Sequence, residues 1–264
     1  MISVIISSHK ANLLSQISAN IKSTIGVEFE IIVIENHNIY SLCEAYNLGF
    51  EKARYSYLCF VHEDVIFLNQ GWGSRLITIM ESDEKIGLIG VVGSKLKSTY
   101  PNVGWGTGPY VKNFYRGHIY LDDNLKEHEF DTSSIKKEIE DVISLDGLFL
   151  FTKREVYQKC PFDDKLLKGF HGYDTDFSLQ VLFQSYRVVV DRGTKLIHYS
   201  PGSYNAEYAI ANRKIRKKWL SKLPVATNDV NLNILSLNYY NILCWCGYLR
   251  NRIIRELHLP FKLK

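Results

Sequence analysis

The chain has 264 residues, with 46% hydrophobic and 23% charged side chains, an ordinary globular composition with length enough for one sizeable core. Its 17 Gly and 6 Pro exclude collagen-like and low-complexity classes. The net charge of +4 is uneven: residues 205–264 carry 11 Lys and Arg against 3 Asp and Glu, so the basic character belongs to the tail, where an anionic surface or substrate would use it.

The chain opens on an apolar run, Ile2 to Ile6, which reads as a strand. It is too short for a secretory leader and lacks a basic flank, so a cytoplasmic protein is expected. Leu13, Leu14, Ile17 and Ile21 then recur at helical spacing. Residues 29–34 are a second apolar, β-branched run. Ser41 and Glu44 form a capping box for a helix reaching about Ala53. Residues 57–61 read as a third strand, 72–80 as a helix and 86–92 as another strand. This alternation predicts an α/β fold with a mostly parallel central sheet flanked by helices. Ligands in such sheets gather beyond the carboxyl ends of the strands. Three of those ends are polar here: Ser7 to His9, Glu35-Asn36 and His62-Glu63-Asp64.

Periodicity fails between Gly93 and Asp141, which predicts a long loop. Trp105, set between glycines, would suit a cover over a bound ring. Regularity returns over 142–151, and Thr152 to Glu155 offers a second capping box. A helix is expected over 174–184 and short strands over 186–190 and 196–198. Beyond Ser203, Tyr208, Ala211, Ile215, Trp219 and Leu223 form one stripe, ringed by Arg213, Lys214, Arg216, Lys217 and Lys218. Such a basic amphipathic helix fits an anionic membrane face or a dock on the protein's own surface. Val230 to Leu249 is uncharged but contains Asn231, Asn233, Asn238 and Asn241. Four amides argue for a buried or interfacial helix rather than a membrane span. Cys43, Cys59 and Cys160 are scattered, Cys244-Trp-Cys246 is too close for a zinc pair of usual spacing, and no disulfide framework is expected.

Three clusters carry possible chemistry. Glu63 and Asp64 follow a buried strand, and a divalent cation bridging to phosphate would offset their repulsion. A solvated loop pair is the plain alternative. His198 closes a short strand; converging with Asp64 it would suit Mn²⁺, or Mg²⁺ less comfortably. Glycines and aromatics from Gly169 to Tyr173 lead into Asp174 and Asp176 at a helix start. Asp174 there is either a helix cap or a general base.

In this order, the motifs resemble those of inverting glycosyltransferases of the GT-A fold, family 2, over residues 1–204. The resemblance implies a nucleotide-diphosphate sugar donor, UDP-linked by expectation. Ser7, Glu35, Asn36, Asn47, His62, Glu63 and Trp105 would line its site. It implies a divalent cation (Mn²⁺ or Mg²⁺) on Asp64 and His198, and Asp174 as base with Asp176 as its competitor. His62 and Tyr173 stand where the family usually has acids. The acceptor would be a hydroxyl of a glycan or lipid-linked saccharide, in surface polysaccharide synthesis. Residues 205–264 would form a basic, largely helical extension, serving a membrane surface, packing or a homodimer. A sugar-nucleotide pyrophosphorylase would need a Gly-rich basic loop after Ile6, which is missing. A non-catalytic binder remains open, and no nucleic-acid reading motif is present.

Overall fold

The computed structural model describes residues 1–100, 105–107, 111, 113–121, 127–131, 136–200, 205–230 and 234–256. The elements run β1 (Ile2–Ser8), α1 (Ala11–Thr24), β2 (Phe29–Glu35), α2 (Leu42–Lys52), β3 (Tyr57–His62), β4 (Val65–Phe67), α3 (Trp72–Ser82), β5 (Ile86–Gly90), β6 (Val92–Ser94) and β7 (Leu96–Lys97). Then come β8 (Tyr115–Tyr120), β9 (Glu127–Glu129), β10 (Ile139–Val142), β11 (Ser144–Leu145), β12 (Phe149–Lys153), α4 (Arg154–Lys159), α5 (Tyr173–Phe183), β13 (Arg187–Asp191) and β14 (Leu196–His198). The chain continues with α6 (Ala206–Trp219), β15 (Val225–Ala226) and α7 (Ile234–Glu256).

The main sheet has seven strands in the order β10-β13-β5-β12-β3-β1-β2. β1 lies parallel to β2 and β3, and β13 parallel to β5. β12 runs antiparallel to both β3 and β5, and β10 antiparallel to β13. The sheet is therefore mixed, not mostly parallel. The reason is that a strand covered on both faces reads as a continuous apolar run whichever way it points. Phe149–Phe151 is such a run.

Alternate residues of β1 feed two cores. Ile5 packs with Ile32, Phe60 and Leu150 beneath α2, α4 and α5. Val4 and Ile6 pack on the other side with Ile17 and Ile21 of α1 and Leu76 and Met80 of α3. This is the period-2 placement expected of a strand between helical layers.

Residues 93–141 are not simply a loop. They contribute β6 to β10, and β6, β8 and β9 join a second sheet ordered β11-β6-β8-β14-β4, with β9 on β8. Charged side chains turned inward conceal these strands in the sequence. Arg116 of β8 is buried, its Nε 3.0 Å from Glu140 Oε2, and Arg192 pairs with Asp131. The second capping box does not form either. Lys153 is the N-cap of α4, without a side-chain bond, and Thr152 instead donates its hydroxyl to Gly87 O at 2.6 Å.

The basic helix docks. Ala211 and Ile215 of α6 are buried in the same core as α5, and the Trp219 ring lies tilted against Phe183, centroids 5.1 Å apart. Arg213 and Lys217 stay exposed on the opposite side. α7 packs Leu237, Tyr240, Leu243 and Cys244 against Leu96, Val111 and Phe114. No helix among the described residues is long and apolar enough to cross a membrane.

Candidate active site

The carboxyl ends of β1, β2 and β3 lie side by side, with Ser8 opposite Glu35 and Ser7 opposite His62. β3 ends at His62, and the turn into β4 presents Asp64. β14 returns antiparallel to β4, with His198 opposite Val65. Tyr199 N donates to Asp64 O at 3.1 Å, closing this hairpin-like corner. Three side chains far apart in sequence meet there. His198 Nε2 lies 3.5 Å, and His62 Nδ1 4.0 Å, from the same Asp64 Oδ1. One ligand atom from each residue falls within 4.8 Å of the others.

The electrostatics suit a cation. Burial and the neighbouring His198 push the His62 imidazole down to about 4, against the pull of Asp64, so it is neutral near pH 7. Burial disfavours charge on His198, but the Asp64 carboxylate more than offsets it and holds its affinity for protons above the ordinary value. Asp64 sits below the usual carboxylate range: burial works against its charge, and the His198 contact outweighs that. His198 Nε2 is buried and lacks a well-formed hydrogen bond. Two imidazole nitrogens and a carboxylate, one nitrogen unsatisfied, fit a divalent first-row ion.

α5 is preceded by Gly172 at its N-cap, whose φ of 85° is the left-handed conformation glycine adopts readily. Asp174 is therefore not the cap; it lies in the first turn, and its Oδ1 accepts from Thr175 N at 2.7 Å. Burial, together with the nearby Asp146 carboxylate, raises it to about 7, while Thr175 N–H and the Lys97 charge pull the other way. Asp176 is held differently. Its Oδ1 accepts from Trp219 Nε1 at 2.7 Å, and its Oδ2 from Lys218 Nζ at 2.8 Å and Gln180 Nε2 at 3.0 Å.

Residues 2–220 match the family described as "Glycosyltransferase like family". The chain belongs to that family. No curated protein matches at the sequence level. Among solved structures, Staphylococcus aureus TarS 1-349 is 13% identical, superposes with a TM-score of 0.57, and is matched over 99% of this chain and 75% of its own. GalNAc-T7, solved with UDP, GalNAc and Mn²⁺, is 13% identical with a TM-score of 0.53; the match covers 75% of this chain but only 43% of that one. The mannosyltransferase PcManGT from Pyrobaculum calidifontis, in complex with GDP-Man and Mn²⁺, is 8% identical with a TM-score of 0.51, over 96% and 75%. At these identities the likeness is one of fold: an α/β, GT-A-like architecture.

In this glycosyltransferase-like chain the remaining expected site residues are spread over several jobs. Glu35, exposed at the end of β2, borders a cleft of about 420 Å³ with Val33, Ile34, Tyr40, Leu48 and Lys52. Ser7 Oγ accepts from Asn36 Nδ2 at 3.2 Å, and Asn36 Oδ1 accepts from Ile39 N and Tyr40 N, shaping the turn beside that cleft. Glu63 does not join the His62–Asp64–His198 group. Its Oε2 accepts from Ser8 Oγ at 2.5 Å and from His9 N and Lys10 N at 3.1 Å, clamping the turn from β1 to α1. Asn47 spans α2 and the segment after α4, donating to Phe162 O and Asp164 Oδ2 and accepting from Tyr157. Trp105 is half-buried against Tyr115 and Phe130, at 5.3 and 5.7 Å, and its side chain bonds the Asp146 carboxylate.

Two further groups border the site. Asp146, raised above the usual carboxylate range by burial, faces both Asp174 and His198 electrostatically. Phe170 is 52% exposed, with its ring 5.6 Å from that of His62. An exposed aromatic beside buried polar ligands is a signal that only the three-dimensional arrangement supplies.

Proposed function

We propose that the protein is an inverting, metal-dependent glycosyltransferase. It moves a sugar from a nucleotide-diphosphate donor, UDP-linked in the first instance, to a hydroxyl of a glycan or lipid-linked saccharide. The observation that carries this reading is the convergence of His62, Asp64 and His198 at the carboxyl ends of the sheet strands of a GT-A-like fold.

A divalent ion on these three residues would offset the charge developing on the leaving diphosphate. Glu35 accepts hydrogen bonds from the nucleoside at the rim of its cleft. The clamp from Glu63 to the β1–α1 turn keeps the backbone there in fixed register. Asp174 takes the proton of the acceptor hydroxyl. Its raised proton affinity near 7 makes it a stronger base than an ordinary carboxylate while leaving it largely ionised just above that pH. The hydroxyl oxygen attacks the anomeric carbon from the face opposite the leaving diphosphate, which inverts that centre. Phe170 supplies an apolar face for a sugar ring.

We extend this to location. Exposed Arg213 and Lys217 on α6, with exposed Tyr239, Ile242 and Trp245 on α7, support contact with an anionic membrane surface on the cytoplasmic side, where a lipid-linked acceptor would be met.

Calorimetric titration of UDP and of GDP, with and without Mn²⁺, into wild type and Asp64→Ala tests the core of the proposal. Mn²⁺-dependent binding that is lost in Asp64→Ala supports it and selects the nucleotide for donor screening. Equal binding with and without Mn²⁺ by both proteins sinks it. Metal-dependent binding without turnover of any sugar of the selected nucleotide, on a broad acceptor panel, favours a non-catalytic binder.

A further inference from the structure

Tyr173 and His62 are 111 residues apart, yet His62 Nε2 lies 2.6 Å from the Tyr173 hydroxyl oxygen. That hydroxyl also lies 2.8 Å from Gly147 O. A carbonyl oxygen can only accept, so the single tyrosine proton goes to Gly147. Toward His62 the phenol oxygen is then left as an acceptor. The imidazole must carry its proton on Nε2, and Nδ1 keeps a free lone pair. Nδ1 is the atom that faces Asp64 Oδ1 at 4.0 Å.

The surroundings hold this arrangement in place. A Cβ at position 147 would come within 2.1 Å of the Tyr173 hydroxyl, so only glycine there lets the phenol reach the backbone. The Tyr173 ring is buried, with Tyr46 and Phe162 at 5.7 and 5.8 Å between centroids. The left-handed Gly172 starts α5 and delivers Tyr173 as its first residue.

We infer that Tyr173 is a positioning residue which, through its bond to Gly147, fixes the tautomer of His62 and makes Nδ1 the third ligand of the site beside Asp64 and His198. This rests on the metal-site reading above. Its consequence is selectivity. Two neutral nitrogens and one carboxylate favour Mn²⁺ and its first-row neighbours over Mg²⁺, which prefers oxygen.

Three measurements test it. In the ¹⁵N-histidine-labelled wild type without metal, long-range ¹⁵N–¹H correlations report the tautomer directly. Nε2–H on His62 is expected, and Nδ1–H overturns the inference without any variant having to fold. Next, Mn²⁺ is titrated by electron paramagnetic resonance into wild type, Tyr173→Phe, His62→Asp and the double variant, with thermal melts as a check on folding. Tyr173→Phe is expected to weaken Mn²⁺ binding by about 10-fold or more, the usual effect of losing a partner behind a ligating histidine. In His62→Asp the same change at Tyr173 is expected to have no effect, and Mg²⁺ is expected to compete better than in wild type. Pulsed measurements on bound Mn²⁺ are expected to show two coupled imidazole nitrogens in wild type and one in His62→Asp. Unchanged Mn²⁺ affinity in a folded Tyr173→Phe, or a single nitrogen in wild type, overturns the role of Tyr173 while leaving the metal site standing. If wild type and Asp64→Ala bind Mn²⁺ alike, the metal site itself fails, and this inference with it.

Discussion

Lys218 Nζ lies 2.8 Å from Asp176 Oδ2, an ion pair that ties α6 to α5 across 42 residues of chain. Trp219 Nε1 donates to the other oxygen of the same carboxylate at 2.7 Å. Asp176 is almost fully buried, with its lone pairs committed to α6 and Gln180. Asp174, two residues earlier, has no comparable partner set. Asp176→Ala is therefore expected to cost about 2 kcal/mol of stability, below the full penalty for a dry pair because Lys218 is a quarter exposed. Mn²⁺ affinity should stay within about twofold, since no metal-facing group is touched. Urea unfolding and Mn²⁺ titration check the two halves. A stable Asp176→Ala that has lost all turnover would move the base assignment to Asp176.

The pH dependence tests Asp174 itself. Burial, then Asp146, raises Asp174 to about 7 in the folded chain, against the ordinary 3.8 expected unfolded. The folded state thus binds the extra proton between these values. Stability from this group is highest below about pH 4, falls as pH rises toward 7, and is level above. Asp174→Asn removes that loss, so its urea midpoint should exceed that of wild type at pH 8 by more than at pH 5. Turnover runs the other way. For wild type, kcat/KM should climb about tenfold per pH unit up to about 7 and then flatten, because only the ionised form accepts a proton. Asp174→Asn should lose about 10³-fold in kcat and lack that limb. A wild-type profile flat from pH 5 to 8 would count against Asp174 as the base.

Phe170 invites a simpler test. It is half exposed and close to His62, without a place in the core. Phe170→Ala should leave the melting temperature and Mn²⁺ affinity unchanged and raise the KM for donor or acceptor about tenfold, the worth of one sugar–aromatic contact. Unchanged KM for both substrates would remove Phe170 from the site.

Several strands and one helix cap of the fold are legible in the sequence, and the parts that are not share a cause. β1 to β3 announced themselves because their apolar runs end abruptly in polar residues. The Ser41–Glu44 capping box depends on residues three apart and forms as read. Local signals survive because their partners are local. The direction of β12 is invisible because a doubly covered strand has no polarity in its composition. β8 and β10 are disguised by Arg116 and Glu140, which are tolerable inside because they meet each other and further opposite charges, Asp131 beside Arg116 and Lys95 beside Glu140. Glu63, beside Asp64 in sequence, is engaged with a turn 53 to 55 residues earlier. Asn47 meets its partners 110 to 117 residues later. Pairings of that range leave no spacing to read. The stripe on α6 has the right period either way, and only the burial of Ala211 and Ile215 shows that it docks on the protein itself.

That docking dictates how the membrane proposal must be tested. Removing residues 205–264 would strip Ile215 from the core and confuse unfolding with lost binding. Point changes on α7 avoid this. Leu235, Tyr239 and Ile242 recur at helical spacing and are 79%, 58% and 55% exposed, while Leu237, Leu243 and Cys244 face inward. An exposed apolar row on a basic segment is a surface to be covered. Leu235→Asp with Ile242→Asp should leave the melting temperature unchanged and weaken cosedimentation with phosphatidylserine-containing vesicles about tenfold or more. Wild-type binding should also fall with added salt, since the basic residues contribute through a screened attraction. If the double variant sediments with vesicles as wild type does, the membrane role of α7 fails. If wild type ignores vesicles but forms a dimer that the double variant does not, by sedimentation velocity, the same face serves a second copy of the chain.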